Sequence, residues 1–188
     1  MGRWEPGASG RLRAAAMELY VERGFEQTTV AEIAERAGLT ARTFFRYFAD
    51  KREVLFAGST ALQDSVVAAL ENAPGSASPM EAVWAALDAA ATMLGERHEY
   101  SRRRNTVIAA NAELQERELI KMASLSAALA DGMRRRGVRD PDASLVAEVG
   151  VAVLRVAFER WVSGPASRTL TATMRESFDQ VKALTADG

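Results

Sequence analysis

Arg42, Thr43, Arg46 and Tyr47 fall within the stretch ARTFFRYFADK, where helical spacing turns Phe44 and Phe48 to one side and sets this polar, cationic group on the other, with Phe45 projecting from the same region. Guanidinium, hydroxyl and phenol side chains on one narrow helix face suit the recognition of nucleic acid. A planar guanidinium can bond both acceptors of a guanine, and hydroxyls and ammonium groups bond phosphate. Residues 36–52 hold Arg36, Arg42, Arg46, Lys51 and Arg52 against the single acid Asp50, so the segment is positive although the chain carries a net charge of -1. Competing chemistries have no residues to name. There is no cysteine and one histidine, His98, flanked by Glu96, Arg97 and Glu99 and read as solvated. No ligand spacing for a metal, no nucleophile elbow, no phosphate-cradling glycine loop and no convincing carboxylate pair is present. Neither enzyme chemistry nor a cofactor or metal is expected.

Such a face needs a mount. Thr29 precedes Val30, Ile33, Ala34 and Ala37 at helical spacing, and Glu32 stands three positions on, a capping box that starts a helix. Gly38 can end it in a left-handed conformation, and Thr40 can cap the next helix after only Leu39. So short a turn crosses the two helices steeply, with small Ala34 at the closest approach. Upstream, Leu12, Ala15, Ala16, Leu19 and Tyr20 predict a helix closed by Gly24, and Phe25 is expected in a small core with Phe44 and Phe48.

Composition agrees. The chain has 188 residues, 48% of them hydrophobic and Ala-rich without sustained alternation, which favours an all-α fold. No apolar run is long enough to span a bilayer and the N-terminus has no signal-peptide core, so a cytoplasmic protein is expected. Residues 1–55 hold nine basic and eight acidic groups, so binding has to rely on a concentrated patch. Arg3, in a Gly- and Pro-containing tail, could follow a neighbouring groove.

The stretch AAAMELYVERGFEQTTVAEIAERAGLTARTFFRYFADKREVLF resembles the DNA-binding domain of the TetR family of transcriptional regulators. The resemblance implies a three-helix helix-turn-helix domain over residues 1–55 and a helical ligand-binding and dimerisation domain over residues 56–188, about nine helices in all. It also implies a homodimer on a palindromic double-stranded operator, repression relieved by a small molecule, and no membrane partner. Arg42 and Thr43 are the expected base-edge readers, Phe45 a contact to a thymine methyl, and Thr29, Thr40, Tyr47 and Lys51 the phosphate anchors, with Arg46 able to do either. The family often has Tyr where this chain has Phe45, which removes a hydroxyl.

Downstream, Asp50 and Glu53 mark a helix start, and Val54, Leu55, Leu62, Val66 and Leu70 predict a helix to about Asn72, interrupted in pattern at Gly58. If unbroken it is a rod shared by both domains. Ser78, Pro79 and Glu81 open the next helix, with Val83, Trp84, Leu87, Ala91 and Leu94 as its stripe. A short helix or two follow with Arg102, Arg103 and Arg104, at least one of them expected to face inward or toward the domain junction, where it needs an anion, and then a helix capped by Asn111. Trp84, Leu87, Met93, Arg103, Met122, Leu125, Phe158 and Trp161 are the candidate ligand contacts. The helix predicted from Asp140 and Pro141 to about Ser163 is apolar beyond one stripe, and a final one from about Thr169 to Ala186 carries Leu170, Met174, Phe178, Val181 and Leu184. This suggests a four-helix bundle with a second chain, through Val149, Val153, Phe158, Met174, Phe178 and Val181. The segment RRRNTVIAANAELQERELIKMASLSAALADGMRRRG resembles a TetR subgroup associated with acyl-CoA-like ligands and known through regulators of mycofactocin clusters, so an acyl-CoA-like effector is expected. The competing class is a helical adaptor that binds only protein and leaves the basic helix unused.

Overall fold

A computed structural model describes residues 7–186. Arg3 lies outside them. The described residues are all-helical: α1 (Ala8–Arg23), α2 (Val30–Arg36), α3 (Ala41–Tyr47), α4 (Glu53–Phe56), α5 (Ser59–Glu71), α6 (Pro79–Gly95), α7 (His98–Ala109), α8 (Ala112–Arg135), α9 (Asp142–Ser163) and α10 (Leu170–Ala186). Nine helices become ten because the one expected over residues 50–72 is divided. Gly58 takes φ 91° between α4 and α5, a conformation that ends a helix, so the single rod is not formed. Two compact units result. One comprises the residues up to Gly58 with Arg103–Glu116, the other Ser59–Arg102 with the chain from Arg117 onward.

In the first unit α1 packs against α2, α3 and α4. Its core sets aromatic rings among aliphatic side chains such as Leu12, Leu19 and Ile33: Phe25, Phe44 and Phe48 are buried, Tyr20 meets Phe25 edge-on at 5.3 Å, and the Phe44 and Phe48 centroids lie 5.5 Å apart. Rings add large apolar area per residue to a unit too small to gather much of it otherwise. Gly24, at φ 88°, closes α1 by donating its N–H to the Tyr20 carbonyl (3.1 Å). At φ 66°, Gly38 lets the Leu39 N–H reach back to the Ala34 carbonyl (2.8 Å), which ends α2 and leaves one residue before the Thr40 cap.

The second unit is built on α6, which packs against α5, α9 and α10. Ser78 and Glu81 form its capping box and Pro79 occupies its first turn. The core joins Leu70, Val83, Leu87, Leu129, Met133, Leu154, Trp161 and Met174, with many alanines between them. Gly150 is where α9 comes closest to α6: a Cβ there would collide with Val83 Cγ1 and lie 3.0 Å from Leu87 Cδ1. On α8, a Cβ at Gly132 would lie 2.5 Å from Leu70 Cδ2. Asn111, counted with the first unit, stands before α8, where its backbone carbonyl accepts from Leu114 and Gln115. Its side-chain amide turns back to the Val107 carbonyl (2.7 Å) instead of capping the helix.

Candidate nucleic-acid interface

Thr29 and Thr40 fix the ends of the reading unit by local bonds. The Thr29 hydroxyl accepts the Glu32 N–H (3.3 Å) and donates to the Glu32 carboxylate (2.8 Å), and the same carboxylate takes the Thr29 N–H (2.9 Å). These two hydrogen bonds hold the Glu32 carboxyl below its ordinary value. The only hydroxyl proton of Thr29 is therefore committed, and to anchor a phosphate it would have to leave the capping box. Thr40 caps α3 by accepting the Thr43 N–H (3.2 Å), its hydroxyl lying 3.1 Å from that of Thr43.

Phe44 turns inward from α3 and is fully buried, which aims the other side of the helix at solvent. There Arg42 is exposed and makes no hydrogen bond or ion pair with any described residue. Phe45 is 58% exposed, its edge against Phe44. Arg46 lies over the Tyr47 ring at 5.0 Å and donates to the Tyr47 hydroxyl (3.2 Å), a pairing confined to the same exposed face.

The other cations of residues 36–52 are spent on the fold. Arg36 donates to Glu18 (3.3 Å) and Glu22 (3.1 Å), which raises the guanidinium and lowers the Glu22 carboxyl. Arg52 is bonded to Asp50 (2.5 Å) and to Glu113, and holds the Asp50 carboxyl below its ordinary value. Lys51 departs furthest from expectation. In place of a free phosphate anchor, its ammonium donates to the carbonyls of Phe25 (2.8 Å), Glu26 (3.2 Å) and Thr28 (3.0 Å) and sits 4.4 Å from the Phe25 ring centroid. Sequence reasoning missed this because the partners lie more than twenty residues away. The usable positive charge thus narrows to Arg42 and Arg46.

Family comparison fits this geometry. Residues 12–57 match the profile described as bacterial regulatory proteins, tetR family, and residues 77–186, more than half of the chain, match that of the MftR C-terminal domain. The chain belongs to the TetR family. Its relatives are transcriptional regulators, not enzymes. It is 42% identical over 73 residues to the regulator TcmR of Streptomyces glaucescens, a match covering 39% of this chain and 32% of TcmR, so it spans only about a third of that relative. It is 28% identical over 186 residues to the putative mycofactocin biosynthesis transcriptional regulator MftR of Mycobacterium tuberculosis, covering 97% of this chain and 93% of MftR. Among solved structures, SmeT in complex with triclosan shares the fold at TM-score 0.69 and 18% identity, over 95% of this chain and 91% of SmeT.

In this TetR chain the residues expected to touch a ligand are scattered. Leu87, Leu125 and Trp161 are buried in the close-packed core of the second unit, where the Trp161 indole N–H donates to the Arg168 carbonyl (2.9 Å). Half-buried Trp84 stacks on Phe178 at 4.9 Å, Phe158 leans on Trp161 at 5.7 Å, and Met122 packs against the same core. Met93 is 45% exposed. Arg103 is exposed and counted with the first unit. It is Arg104 that turns inward, donating to the Leu55 carbonyl (2.8 Å) with its guanidinium 5.1 Å from the Phe56 ring. A cavity of about 240 Å³ between α8 and α9 is lined by none of the eight; Ser126, Ala127, Ala130, Asp131, Ser144 and Glu148 border it. His98 is not simply solvated: its Nε2 lies 3.0 Å from the Trp161 carbonyl oxygen and its ring meets the indole edge-on at 4.7 Å.

The expected dimer contacts also need correction. Met174 is fully buried in its own chain, and Val153 and Phe178 nearly so, which leaves them little surface to offer a second subunit. Val149, Phe158 and Val181 are half-buried. The apolar residues that do face outward on α9 are Leu145, at 59% exposure, Ala152 and Val156, at 44%. With Val149 they stand at i, i+4, i+7 and i+11, one stripe that the spacing alone could have singled out. No helix among the described residues is long and apolar enough to cross a membrane, and no cluster of metal-ligating side chains occurs among them.

Proposed function

We propose that this TetR-family regulator is a cytoplasmic homodimeric repressor that seats one α3 in each half of a palindromic operator and leaves it when a lipophilic, acyl-CoA-like effector enters the C-terminal domain. The observation that carries the reading is the outer face of α3. Arg42 and Thr43 stand at its start as base-edge readers, Phe45 suits a thymine methyl, and Thr40, Arg46 and Tyr47 suit backbone phosphate. One such helix reads only a few base pairs. Two, related by a two-fold axis, would address half-sites about 34 Å apart.

Residues 1–55 serve in this reading as the DNA-binding domain and residues 56–188 as the effector and dimerisation domain. The exposed stripe of Leu145, Val149, Ala152 and Val156 is the surface that favours pairing through α9. Support for the effector class comes from the MftR-type C-terminal match, and for repression from the economy of a dimer that blocks a promoter by occupying it.

The test is a gel shift at low and moderate salt, with the DNA upstream of the protein's own gene against random duplex. Preference for the upstream DNA, weakening as salt rises, is the expected outcome. Equal binding to both would favour the protein-only adaptor. A thermal-shift panel of acyl-CoAs tests the effector: if they leave the melting temperature unmoved while other lipophiles raise it, the acyl-CoA assignment falls.

A further inference from the structure

Lys51 lies between α3 and α4 and is gripped at both ends. The Tyr20 hydroxyl of α1 donates to its backbone carbonyl (2.6 Å), and its ammonium donates to three carbonyls of the turn between α1 and α2, those of Phe25, Glu26 and Thr28. Tyr20 and Phe25, the two rings bordering this clasp, are themselves in edge-on contact. An ammonium has three N–H groups and here each has an acceptor, so none remains for a phosphate. Thr29, which starts α2, directly follows the last of the three carbonyls. The segment leaving α3 is thereby tied to the segment entering α2, and the angle between those two helices decides where Arg42 points. Three carbonyl oxygens converging on one point would repel one another without the cation between them.

We propose that Lys51 is a positioning residue for operator reading: an internal cation that locks the α1–α2 turn to the end of α3, and not a contact to DNA. The inference rests on the assignment of α3 as the reading helix. Three roles for this lysine give different readings with the full-length Lys51→Met variant, which keeps the apolar stem and removes the charge. If Lys51 holds the reading pose, operator binding weakens more than random binding. The ratio between them then drops about tenfold, comparable to one base-edge contact, and the slope of log K against log[salt] stays at the wild-type value. A phosphate contact would instead weaken both DNAs alike and reduce the slope by about 0.9. A role in stability alone would lower the melting temperature and leave ratio and slope untouched where the protein is folded. Either of these last two results overturns the proposal.

Lys51→Arg is expected to recover only part of the ratio, because a planar fork cannot aim three donors from one point. Recovery in full would remove the argument from ammonium geometry. If the wild type itself shows no operator preference, the reading of α3 fails first. Hydrogen exchange of the α2 and α3 amides in Lys51→Met then judges the clasp by itself: faster exchange upholds it, and unchanged exchange rejects it.

Discussion

The two units of this protein spend their polar groups differently, and that difference explains why function is visible in one and veiled in the other. In the first unit Arg36, Lys51 and Arg52 are each bound to two or more acceptors of the fold. Once they are accounted for, the uncommitted charge of residues 36–52 lies on one helix, at Arg42 and Arg46. The second unit has a core dominated by aliphatic and alanine side chains around Trp161, with helices in close approach at Gly132 and Gly150. Its polar bonds tie ends and turns together, as when Arg136 donates to the carbonyls of Leu70 (3.3 Å), Ala73 (2.9 Å) and Pro74 (2.8 Å). A reading surface is found by what the fold leaves unsatisfied, whereas an apolar effector site is made of the same residues as the core around it.

The sharpest way to break the contrast is to remove the aromatic mount. Phe44→Ala should cost the first unit about 3–5 kcal/mol, the usual range for deleting a buried ring. DNA binding is then lost, while the second unit keeps its helices in circular dichroism and melts in a separate transition. A single transition lowered as a whole would show that the two units do not differ as described.

Arg42→Ala touches nothing in the fold, so it should leave the melting temperature alone and cost about 1–3 kcal/mol on operator DNA, with preference relaxed at one base pair. Equal losses on operator and random duplex would show that Arg42 reads no base.

Gly150→Ala asks the same of the second unit. Its new methyl meets Val83 and Leu87, and overpacking of this kind costs about 1–3 kcal/mol. Chemical denaturation should show the loss in the second unit, with operator affinity unchanged at temperatures where the protein is folded.

The smallest effect is acid sensitivity. Asp50 has its carboxyl held below the ordinary 3.8, first by the hydrogen bond from Arg52 and then by the N–H groups of Glu53 and Arg52. A carboxylate that binds its proton more weakly when folded contributes stability above its unfolded value, and loses it as pH falls through the folded value. Melting of the first unit should therefore decline as pH drops below about 4, and Asp50→Asn should flatten that decline. An unchanged profile would assign the acid response to the other depressed carboxylates, Glu22 and Glu32.

Local grammar was enough for the helices and for the outer face of α3. Capping boxes at Thr29 and Ser78, the Gly24 and Gly38 stops and the inward placing of Phe44 and Phe48 all depend on neighbours within a few residues, and the structure realises each of them. Gly58 lies between the two kinds of knowledge: the pattern is interrupted there, but only the backbone angle shows that the rod divides. What the chain could not disclose in one dimension is which acceptors a long side chain finds. Lys51 reaches a turn more than twenty residues back, Arg52 reaches Glu113, Met174 is enclosed by its own subunit, and Leu145 and Val156 stay uncovered. Periodicity marks a residue as apolar or charged and assigns it a helix face, but burial and pairing are settled by elements distant in sequence, whose packing only the folded chain determines.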